Sequence, residues 1–195
     1  MTHQFPVPTD WKSEKWWNNR SVEEREFHLR IPKRWVDLTV TTVPKEVRSW
    51  LANYEYGSSI YLYGPSGSGK TVIAQYILKT LIQDHPLSGR FVSSEKYIEM
   101  IKDSFENDGF LPEMYSSPYL LKYIQGVYSV VLLDSVGNER ETEFSVHEVG
   151  SLLRRRNEDM RSMIITTHLS VVDFVRRYGD RVSGVINDMT IIRIG

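Results

Sequence analysis

Residues 60–71 have the sequence Ile-Tyr-Leu-Tyr-Gly-Pro-Ser-Gly-Ser-Gly-Lys-Thr, in which a short apolar run is followed by a glycine-rich loop and then by Lys-Thr. Four residues separate Gly64 from a Gly-Lys-Thr run at 69–71, a spacing that fits the pattern G-x-x-x-x-G-K-[ST]. The apolar run predicts a strand before the loop, and the apolar periodicity after it predicts a helix. This is the context that the pattern requires, so the segment predicts a phosphate-binding loop.

The backbone and side chains of this loop suit different parts of a bound nucleotide. Its glycines let the backbone turn N–H groups inward, and the N-terminus of the following helix adds a favourable dipole for an anion. Lys70 supplies positive charge to the β- and γ-phosphates, and the Thr71 hydroxyl is a ligand for Mg²⁺. We therefore expect ATP and Mg²⁺ as cofactors. The predicted nucleotide-binding residues are Gly64, Pro65, Ser66, Gly67, Ser68, Gly69, Lys70 and Thr71.

A second apolar run, at residues 128–134, ends in an acid, Asp134. Its continuous β-branched and aliphatic side chains are typical of a parallel strand that is buried on both faces. Because open α/β sheets bind ligands beyond the carboxyl ends of their strands, Asp134 is expected to face the phosphate-binding loop. We predict that Asp134 orients Mg²⁺ opposite Thr71, so that both are metal-binding residues. The alternative is an ordinary turn residue at the end of a strand.

The rest of the chain alternates short apolar strands with segments of helical periodicity. Further strands are predicted at residues 90–93, 163–167 and 189–194. Helices are predicted at residues 47–54, from the loop to His85, and at residues 95–104, 119–124, 143–156, 170–178 and 181–187. This alternation predicts an α/β fold with a mostly parallel sheet and right-handed crossovers.

Composition limits the classes to which the protein can belong. Its 195 residues suffice for one globular domain with an appendage. The formal net charge of -1 excludes a globally basic nucleic-acid binder but allows a local basic patch. The absence of cysteine excludes a disulfide framework and is compatible with a reducing cytoplasm. Since the sequence shows no signal peptide or membrane span, we expect a cytoplasmic protein without a membrane partner.

Residues 1–43 differ from the remainder in having several prolines, many charges and few aliphatic side chains. Ser21 and Glu24 have the spacing of a capping box, which predicts a short helix that ends before Pro32. We expect this segment to be an N-terminal arm that docks a partner, followed by a nucleotide-binding domain at residues 44–195. Packing on that domain, docking to a partner and base stacking are alternative roles for its tryptophans, Trp11, Trp16 and Trp17.

Further short segments accompany the two nucleotide-binding motifs, in order, between residues 31 and 194. They are Ile31-Pro32-x-Arg34-Trp35, the phosphate-binding loop, Leu132-Leu133-Asp134-x-x-Gly137, Arg156 late in the next helix, Thr166-Thr167-His168-Leu169 and Tyr178-Gly179-Asp180-Arg181-Val182. In these motifs the chain resembles the AAA+ helicase loaders of the DnaC/DnaI type, including phage versions, and the related IstB-type transposition helper ATPases. The resemblance implies a P-loop NTPase of the AAA+ type, with a five-stranded sheet flanked by helices and no C-terminal helical lid.

The resemblance also implies a function. A loader of this type binds ATP, assembles with further copies of itself and recruits a replicative DNA helicase to single-stranded DNA in replication. A transposition helper shares the ATPase motifs but has a transposase as its partner, so the sequence leaves this choice open. A third interpretation is a nucleotide-gated interaction protein with little or no turnover. A P-loop small-molecule kinase is disfavoured, because no arginine-rich lid lies between Asp134 and the last predicted strand.

The positions after the predicted strands depart from the family pattern. The acid that usually follows Asp134 and polarises the attacking water is replaced by Ser135, and a serine hydroxyl is a poor general base near neutral pH. We therefore expect an ATPase with weakened catalytic machinery and slow hydrolysis. Glu139 and Glu141 are candidates to replace the acid, although we interpret both as solvated surface acids. His168 stands in place of a sensor I asparagine and is either a hydrogen-bonding partner of the γ-phosphate or a loop residue.

Arg181 lies in a segment that resembles the arginine-finger region of the family, in which a second arginine usually follows four residues later. That second position is Val185. Arg181 is therefore either the finger that reaches a neighbouring subunit or a surface arginine that bonds to its own helix. Together, the residues predicted to act in catalysis are Lys70, Asp134, His168 and Arg181.

Positive charge is concentrated in two clusters, which comprise residues 154–156 with Arg161, and Arg176 and Arg177 with Arg181. Both could contact phosphates of single-stranded DNA or acids on a neighbouring subunit, while favourable charge at a helix C-terminus also explains the first cluster. The resemblance implies that residues 94–127 contribute to DNA binding. The residues that would form such a surface are Lys96, Lys102, Lys122, Tyr97, Phe105 and Tyr115.

Overall fold

A computed structural model describes residue 17 and residues 19–32, 42–106 and 117–195 of the chain. Most of the predicted N-terminal arm lies outside these residues, so its boundary near residue 43 stays a prediction. The individual predictions that also lie outside the described residues are those for Trp11, Trp16, Arg34, Trp35 and Tyr115.

Parallel strands form one five-stranded sheet in the described part of the chain. The strands are β1 Ile60–Tyr63, β2 Gly89–Ser93, β3 Val130–Val136, β4 Ser162–Thr167 and β5 Thr190–Arg193. Their order across the sheet is β2-β3-β4-β1-β5, and every neighbouring pair is parallel. This arrangement confirms the predicted α/β fold with a five-stranded sheet.

Helices cover both faces of this sheet. They are α1 Val22–Leu29, α2 Lys45–Ala52, α3 Lys70–Asp84, α4 Ser94–Glu106, α5 Ser117–Gly126, α6 Glu143–Glu158, α7 Val171–Tyr178 and α8 Ser183–Asn187. Because successive residues of a strand point to opposite faces, Ile60 and Leu62 join a core with α1, α2 and α3. Tyr61, between them, joins a second core with α4 to α8. Burial on both sides explains the continuous apolar run of β3.

Helix α1 is the helix that the sequence predicted in the N-terminal arm. The Ser21 hydroxyl accepts a 3.2 Å hydrogen bond from the Glu24 N–H, and the Glu24 carboxylate accepts a 3.1 Å bond from the Ser21 N–H. Leu29 at the other end is fully buried, and a Cβ on Gly89 of β2 would lie 2.7 Å from its Cδ2, so glycine permits this close approach. Trp17 is 4% exposed and belongs to the second core, which supports packing as its role.

Strand β3 differs from its prediction beside the candidate site. The apolar run predicted a strand that ends at Asp134, but β3 continues to Val136. Its pairing with β4 shifts between Leu133 and Val136, so that Asp134 and Ser135 lie in a bulge. The backbone of Ser135 has a φ of 58°, in the left-handed region. An uninterrupted hydrophobic run gives no sign of such a bulge.

Strand β5 lies at one edge of the sheet, beside β1. Just beyond it, the Ile194 N–H donates a 2.8 Å hydrogen bond to the Tyr63 carbonyl oxygen, so the end of β5 runs beside the loop that follows β1. No helix in the described ranges is long and apolar enough to cross a membrane.

Candidate nucleotide-binding site

The predicted phosphate-binding loop, residues 64–69, joins β1 to α3 at the carboxyl edge of the sheet. Gly67 and Gly69 have φ values of 80° and 89°, which residues with a side chain rarely adopt. At Gly64 the restriction is also spatial, because a Cβ there would lie 2.1 Å from the Ile194 carbonyl oxygen. Helix α3 begins directly after Gly69, so its first backbone N–H groups, which have no partner within the helix, face the loop.

Lys70 is held by the backbone of the loop that it follows. Its ammonium donates hydrogen bonds of 2.9 Å to the Gly64 carbonyl oxygen and 2.6 Å to that of Pro65. A longer bond of 3.4 Å reaches the Ser68 hydroxyl. Burial lowers the pKa of Lys70, and the charge of Asp134 opposes this shift. The positive charge is thus fixed at the loop.

Asp134 is 8% exposed and connects the loop with the sheet. Its Oδ1 accepts a 2.8 Å hydrogen bond from the Thr71 hydroxyl and a 2.7 Å bond from the Thr166 hydroxyl. Its Oδ2 accepts a 3.1 Å bond from the Ser135 hydroxyl. The structure therefore brings Thr71 and Asp134 into direct contact, beside Lys70, although they come from separate motifs.

An open cleft of about 400 Å³ lies beside these groups. His168, which directly follows β4, is exposed and lines this cleft, where its ring can hydrogen-bond a bound group. Asn138, in the loop after β3, also lines the cleft, and the sequence did not single it out because it belongs to no recognised motif position. The residues that line the cleft are Ser66, Gly67, Gly69, Lys70, Thr71, Val72, Ser135, Asn138, Thr167 and His168.

The oxygen donors at the cleft fit Mg²⁺. This ion is usually bound by one or two protein groups together with substrate phosphates and waters. The Thr71 hydroxyl and the Asp134 carboxylate supply two such oxygens 2.8 Å apart. In the part of the chain that the structure describes, no group of three or more His, Cys, Asp or Glu side chains could hold a metal ion by itself. The donor set thus suits an ion that arrives with a phosphate chain.

Glu139 is buried, which contradicts its interpretation as a solvated surface acid. It is 4% exposed, and its Oε2 accepts a 3.0 Å hydrogen bond from the Gly137 N–H. Its Oε1 accepts bonds from the Tyr178 hydroxyl and, at 3.3 Å, from Arg177. Burial and the adjacent Glu139 charge raise the pKa of Tyr178. Glu139 is therefore directed toward α7, whereas Glu141 is exposed, as expected, and pairs with Arg177 at 3.6 Å.

Arg181 is not among the described residues that line the cleft; it lies in the 3₁₀ turn Asp180–Val182 between α7 and α8. Its side chain is exposed and forms no hydrogen bond or ion pair with any described residue. It is thus accessible to another molecule. Val185 of α8, at the position of the second arginine of the family, is 5% exposed and belongs to the second core.

The structure separates the members of the two basic clusters. The Arg156 guanidinium is fully buried, which contradicts a role in DNA contact for this residue. It donates hydrogen bonds of 2.7, 3.0, 3.4 and 2.9 Å to the carbonyl oxygens of Ile124, Tyr128, Ser129 and Ser162. Arg161 donates a hydrogen bond to the Tyr56 hydroxyl, and Arg176 forms an ion pair with Asp173. Arg177 forms ion pairs with Glu139 and Glu141 in the loop before α6. The clusters in the sequence are therefore not continuous basic surfaces.

The segment implied to bind DNA is also divided by burial. Tyr97 of α4 is fully buried, which contradicts a surface role for its ring. Phe105, at the other end of α4, is 76% exposed. Lys102 and Lys122 are exposed, and Lys96 forms a surface ion pair. A DNA-binding role for these exposed residues stays a prediction.

Solved structures share this fold. The crystal structure of the DnaC helicase loader has a TM-score of 0.70 and 24% sequence identity, covering 84% of this chain and 99% of that chain. The crystal structure of DnaI has a TM-score of 0.64 and 22% identity, covering 87% of this chain and 94% of that one. The replication initiator DnaA bound to AMPPCP and single-stranded DNA has a TM-score of 0.63 and 14% identity, covering 85% of this chain and 51% of that one.

The fold is that of an AAA+ P-loop domain. The likeness to DnaC and DnaI confirms, at the level of fold, the resemblance that the sequence motifs indicated. No protein-family model and no curated protein matches the sequence. A shared fold does not determine function, which depends on the cleft and its residues.

Proposed function

We propose that this protein is an ATP-binding helicase loader that recruits a replicative DNA helicase to single-stranded DNA. The observation that carries this proposal is the hydrogen bond between Thr71 and Asp134 beside a cleft that Lys70 and Thr71 line, in a fold shared with the DnaC helicase loader. Nucleotide binding rests on the chemistry of the cleft. The loading role rests on the shared fold together with the order of the sequence motifs.

In the proposed mechanism, the loop N–H groups and the Lys70 ammonium bind the phosphate chain. Thr71 and Asp134 would hold Mg²⁺, which would supply positive charge to the phosphate chain. His168 and Asn138 line the same cleft and orient the terminal phosphate or a water by hydrogen bonds. The protein thus supplies charge and position, and no carboxylate that could activate the water is found among the described residues that line the cleft.

Partner contacts are assigned to surfaces outside the cleft. Residues 1–43 dock the helicase, and the exposed Arg181 contacts a neighbouring copy of the chain during self-assembly. Phe105, Lys102 and Lys122 contact single-stranded DNA, since a base can stack on the ring and the lysines can bind phosphates. The initiator DnaA, with a similar fold, was solved with AMPPCP and single-stranded DNA, which supports this combination of ligands.

The nucleotide site is tested with Lys70→Ala, and Lys45→Ala is the matched control because Lys45 is an exposed lysine on α2 outside the cleft. Loss of the ammonium should weaken ATP·Mg²⁺ binding about 10- to 100-fold, because a charged partner of the phosphates is removed. Lys45→Ala should bind like the wild type. Titration with a fluorescent ATP analogue measures both, and wild-type affinity in Lys70→Ala would refute the site.

The partner is tested by pull-down with the cognate replicative helicase and with transposase, each with and without ATP and single-stranded DNA. Capture of the helicase that ATP increases and Lys70→Ala abolishes is the expected result. Capture of transposase instead would replace the loader by an IstB-type transposition helper. Capture of neither protein under any condition would refute both assignments.

Ser135 supports a second candidate function, a nucleotide-gated interaction protein with little turnover. None of the described residues that line the cleft is an acid, and Glu139 is bonded to α7. Ser135→Glu supplies a carboxylate. Ser135→Gln is the control, because its side chain has the same length and must adopt the same left-handed backbone conformation. We expect faster ATP turnover in Ser135→Glu alone. Equally slow turnover in both variants, with ATP-dependent partner capture intact, would favour the second candidate.

A further inference from the structure

Thr166 of β4 lies opposite the bulge of β3. Its hydroxyl accepts a 2.8 Å hydrogen bond from the Ser135 N–H and donates a 2.7 Å bond to Asp134 Oδ1. One side chain therefore binds both residues of the bulge. We propose that Thr166 is the positioning residue that fixes the Asp134 carboxylate for Mg²⁺, an inference that rests on the nucleotide site proposed above.

The hydrogen-bonding capacity of a hydroxyl makes this arrangement specific to Thr or Ser. A hydroxyl donates one bond and accepts others, so Thr166 serves a donor and an acceptor at the same time. It is 1% exposed, so water cannot take its place. Without it, the Ser135 N–H would lose its acceptor and Asp134 Oδ1 would keep Thr71 as its remaining partner among the described residues.

The backbone conformation of the bulge is a second reason for assigning the positioning role to Thr166. Ser135 adopts a φ of 58°, a left-handed conformation that is unfavourable for a residue with a side chain, so it needs support from its surroundings. The bond from its N–H to Thr166 is such support. Without that bond the Ser135 backbone loses this support, and Asp134, the preceding residue, is held less firmly.

Thr166 and Thr71 bind the same carboxylate oxygen but have different relations to the cleft. Thr71 lines the cleft and is the proposed Mg²⁺ ligand, whereas Thr166 is not among the described residues that line it. A partner that does not itself bind the ion holds Asp134 in one place before and after the nucleotide arrives. Such partners of metal ligands typically contribute about 10- to 100-fold to metal affinity.

Thr166→Val tests this role, because it removes the hydroxyl and keeps a β-branched side chain of similar shape. Thr166→Ser restores the hydroxyl. Ser162→Ala is the control on the same strand, since it removes a buried hydroxyl that bonds to Tyr54 and Gly57. The dissociation constant for ATP is measured with Mg²⁺ and with EDTA, and the melting temperature is recorded for every variant.

We expect Thr166→Val to reduce the gain in ATP affinity that Mg²⁺ provides by about tenfold, with affinity in EDTA unchanged. Thr166→Ser and Ser162→Ala should keep the wild-type gain. If Thr166→Val proves too unstable to assay, Thr166→Cys provides the same comparison with a weaker donor, and a partial loss is expected.

Wild-type Mg²⁺ dependence in Thr166→Val would overturn the inference and leave the nucleotide site intact. Equal losses with and without Mg²⁺, or the same loss in Ser162→Ala, would indicate a general loosening of the fold and would also overturn it. A wild-type protein whose ATP affinity does not respond to Mg²⁺ would instead refute the proposed metal site, and the inference with it.

Discussion

Asp134 and Arg156 are both buried charged residues with different partners. Asp134 lies near the carboxyl end of β3, whereas Arg156, on α6, contacts the chain near the starts of β3 and β4. Asp134 accepts hydrogen bonds from the hydroxyls of Thr71, Thr166 and Ser135. Arg156 donates its bonds to backbone carbonyl oxygens near the starts of the two strands. Hydroxyls rotate and can exchange partners, whereas carbonyl oxygens are fixed by the chain.

The different partners give the two residues different roles: Asp134 can bind a ligand, whereas Arg156 stabilises the fold. Burial lowers the pKa of Arg156 to about 9, so the guanidinium remains charged at neutral pH and the carbonyl oxygens compensate its lost hydration. Rearranging these partners would require the backbone to move. Asp134, beside an open cleft, can accept a cation when the Thr71 hydroxyl turns, while Thr166 keeps its bond.

Replacing Arg156 should have the largest effect. Arg156→Met removes the side-chain donor of four carbonyl oxygens, and we expect the free energy of unfolding to fall by about 3–5 kcal/mol. Arg155→Met, the exposed neighbour, should change it by less than about 0.5 kcal/mol. Urea unfolding measures both, and equal changes would show that the carbonyl contacts do not stabilise the protein.

Asp134→Asn should affect binding and spare stability. The amide oxygen still accepts bonds from Thr71 and Thr166, so the free energy of unfolding should change by less than about 1 kcal/mol. Loss of the negative charge should weaken Mg²⁺-dependent ATP binding about 10- to 100-fold. Urea unfolding and ATP titration with and without Mg²⁺ are the measurements. A stability loss as large as that of Arg156→Met would remove the distinction between the two charges.

A substitution at Glu139 tests whether the role of a buried charge depends on its location or on its partners. It follows the bulge near the cleft, but its partners are a backbone N–H and two residues of α7. We expect Glu139→Gln to lower the free energy of unfolding by about 1–3 kcal/mol with ATP affinity unchanged. Glu141→Gln, on the exposed neighbour, should leave stability near the wild-type value. Lower ATP affinity at unchanged stability would mean that location decides.

The smallest effect is expected at His28, a partly buried neutral group. Burial and, next, the charges of Arg30 and Arg90 lower the pKa of His28 from 6.5 to about 4. Because the folded state has the lower pKa, this contribution to stability is complete above about pH 6.5 and is lost as the pH falls toward 4. Urea midpoints should therefore decline less on acidification in His28→Gln than in the wild type. The exposed His147→Gln should keep the wild-type decline, and equal declines in all three proteins would contradict the prediction.

The sequence was sufficient where the site depends on local pattern. The glycine spacing at residues 64–71 and the acid after an apolar run are local features, and the alternation of strands and helices determined the fold class. Thr166 was recognised only as part of a matching segment. Its contact with Asp134 depends on the pairing of β3 with β4 and on the bulge, which no pattern within either strand indicates.

Arg156 and Glu139 show why the rest was not predictable. Arg156 follows two arginines at a helix end, a pattern typical of a solvated charge, but its acceptors include carbonyl oxygens 32 and 28 residues earlier. Glu139 lies in a polar loop, but its partners Arg177 and Tyr178 follow 38 and 39 residues later. Contacts over such separations arise from tertiary packing, which local composition does not contain.

The end of β5 offers a way to observe the loop without changing the sequence of the loop itself. The Ile194 carbonyl oxygen lies close to Gly64, and a Cβ on Gly195 would lie 3.0 Å from the Ser68 Cβ. A small fluorophore attached at residue 195 would therefore sense a change in the loop when phosphate arrives, while every residue of the loop stays native. For the same reason, a bulky affinity tag placed directly after Gly195 would crowd the loop, and an N-terminal tag is the better choice for binding measurements.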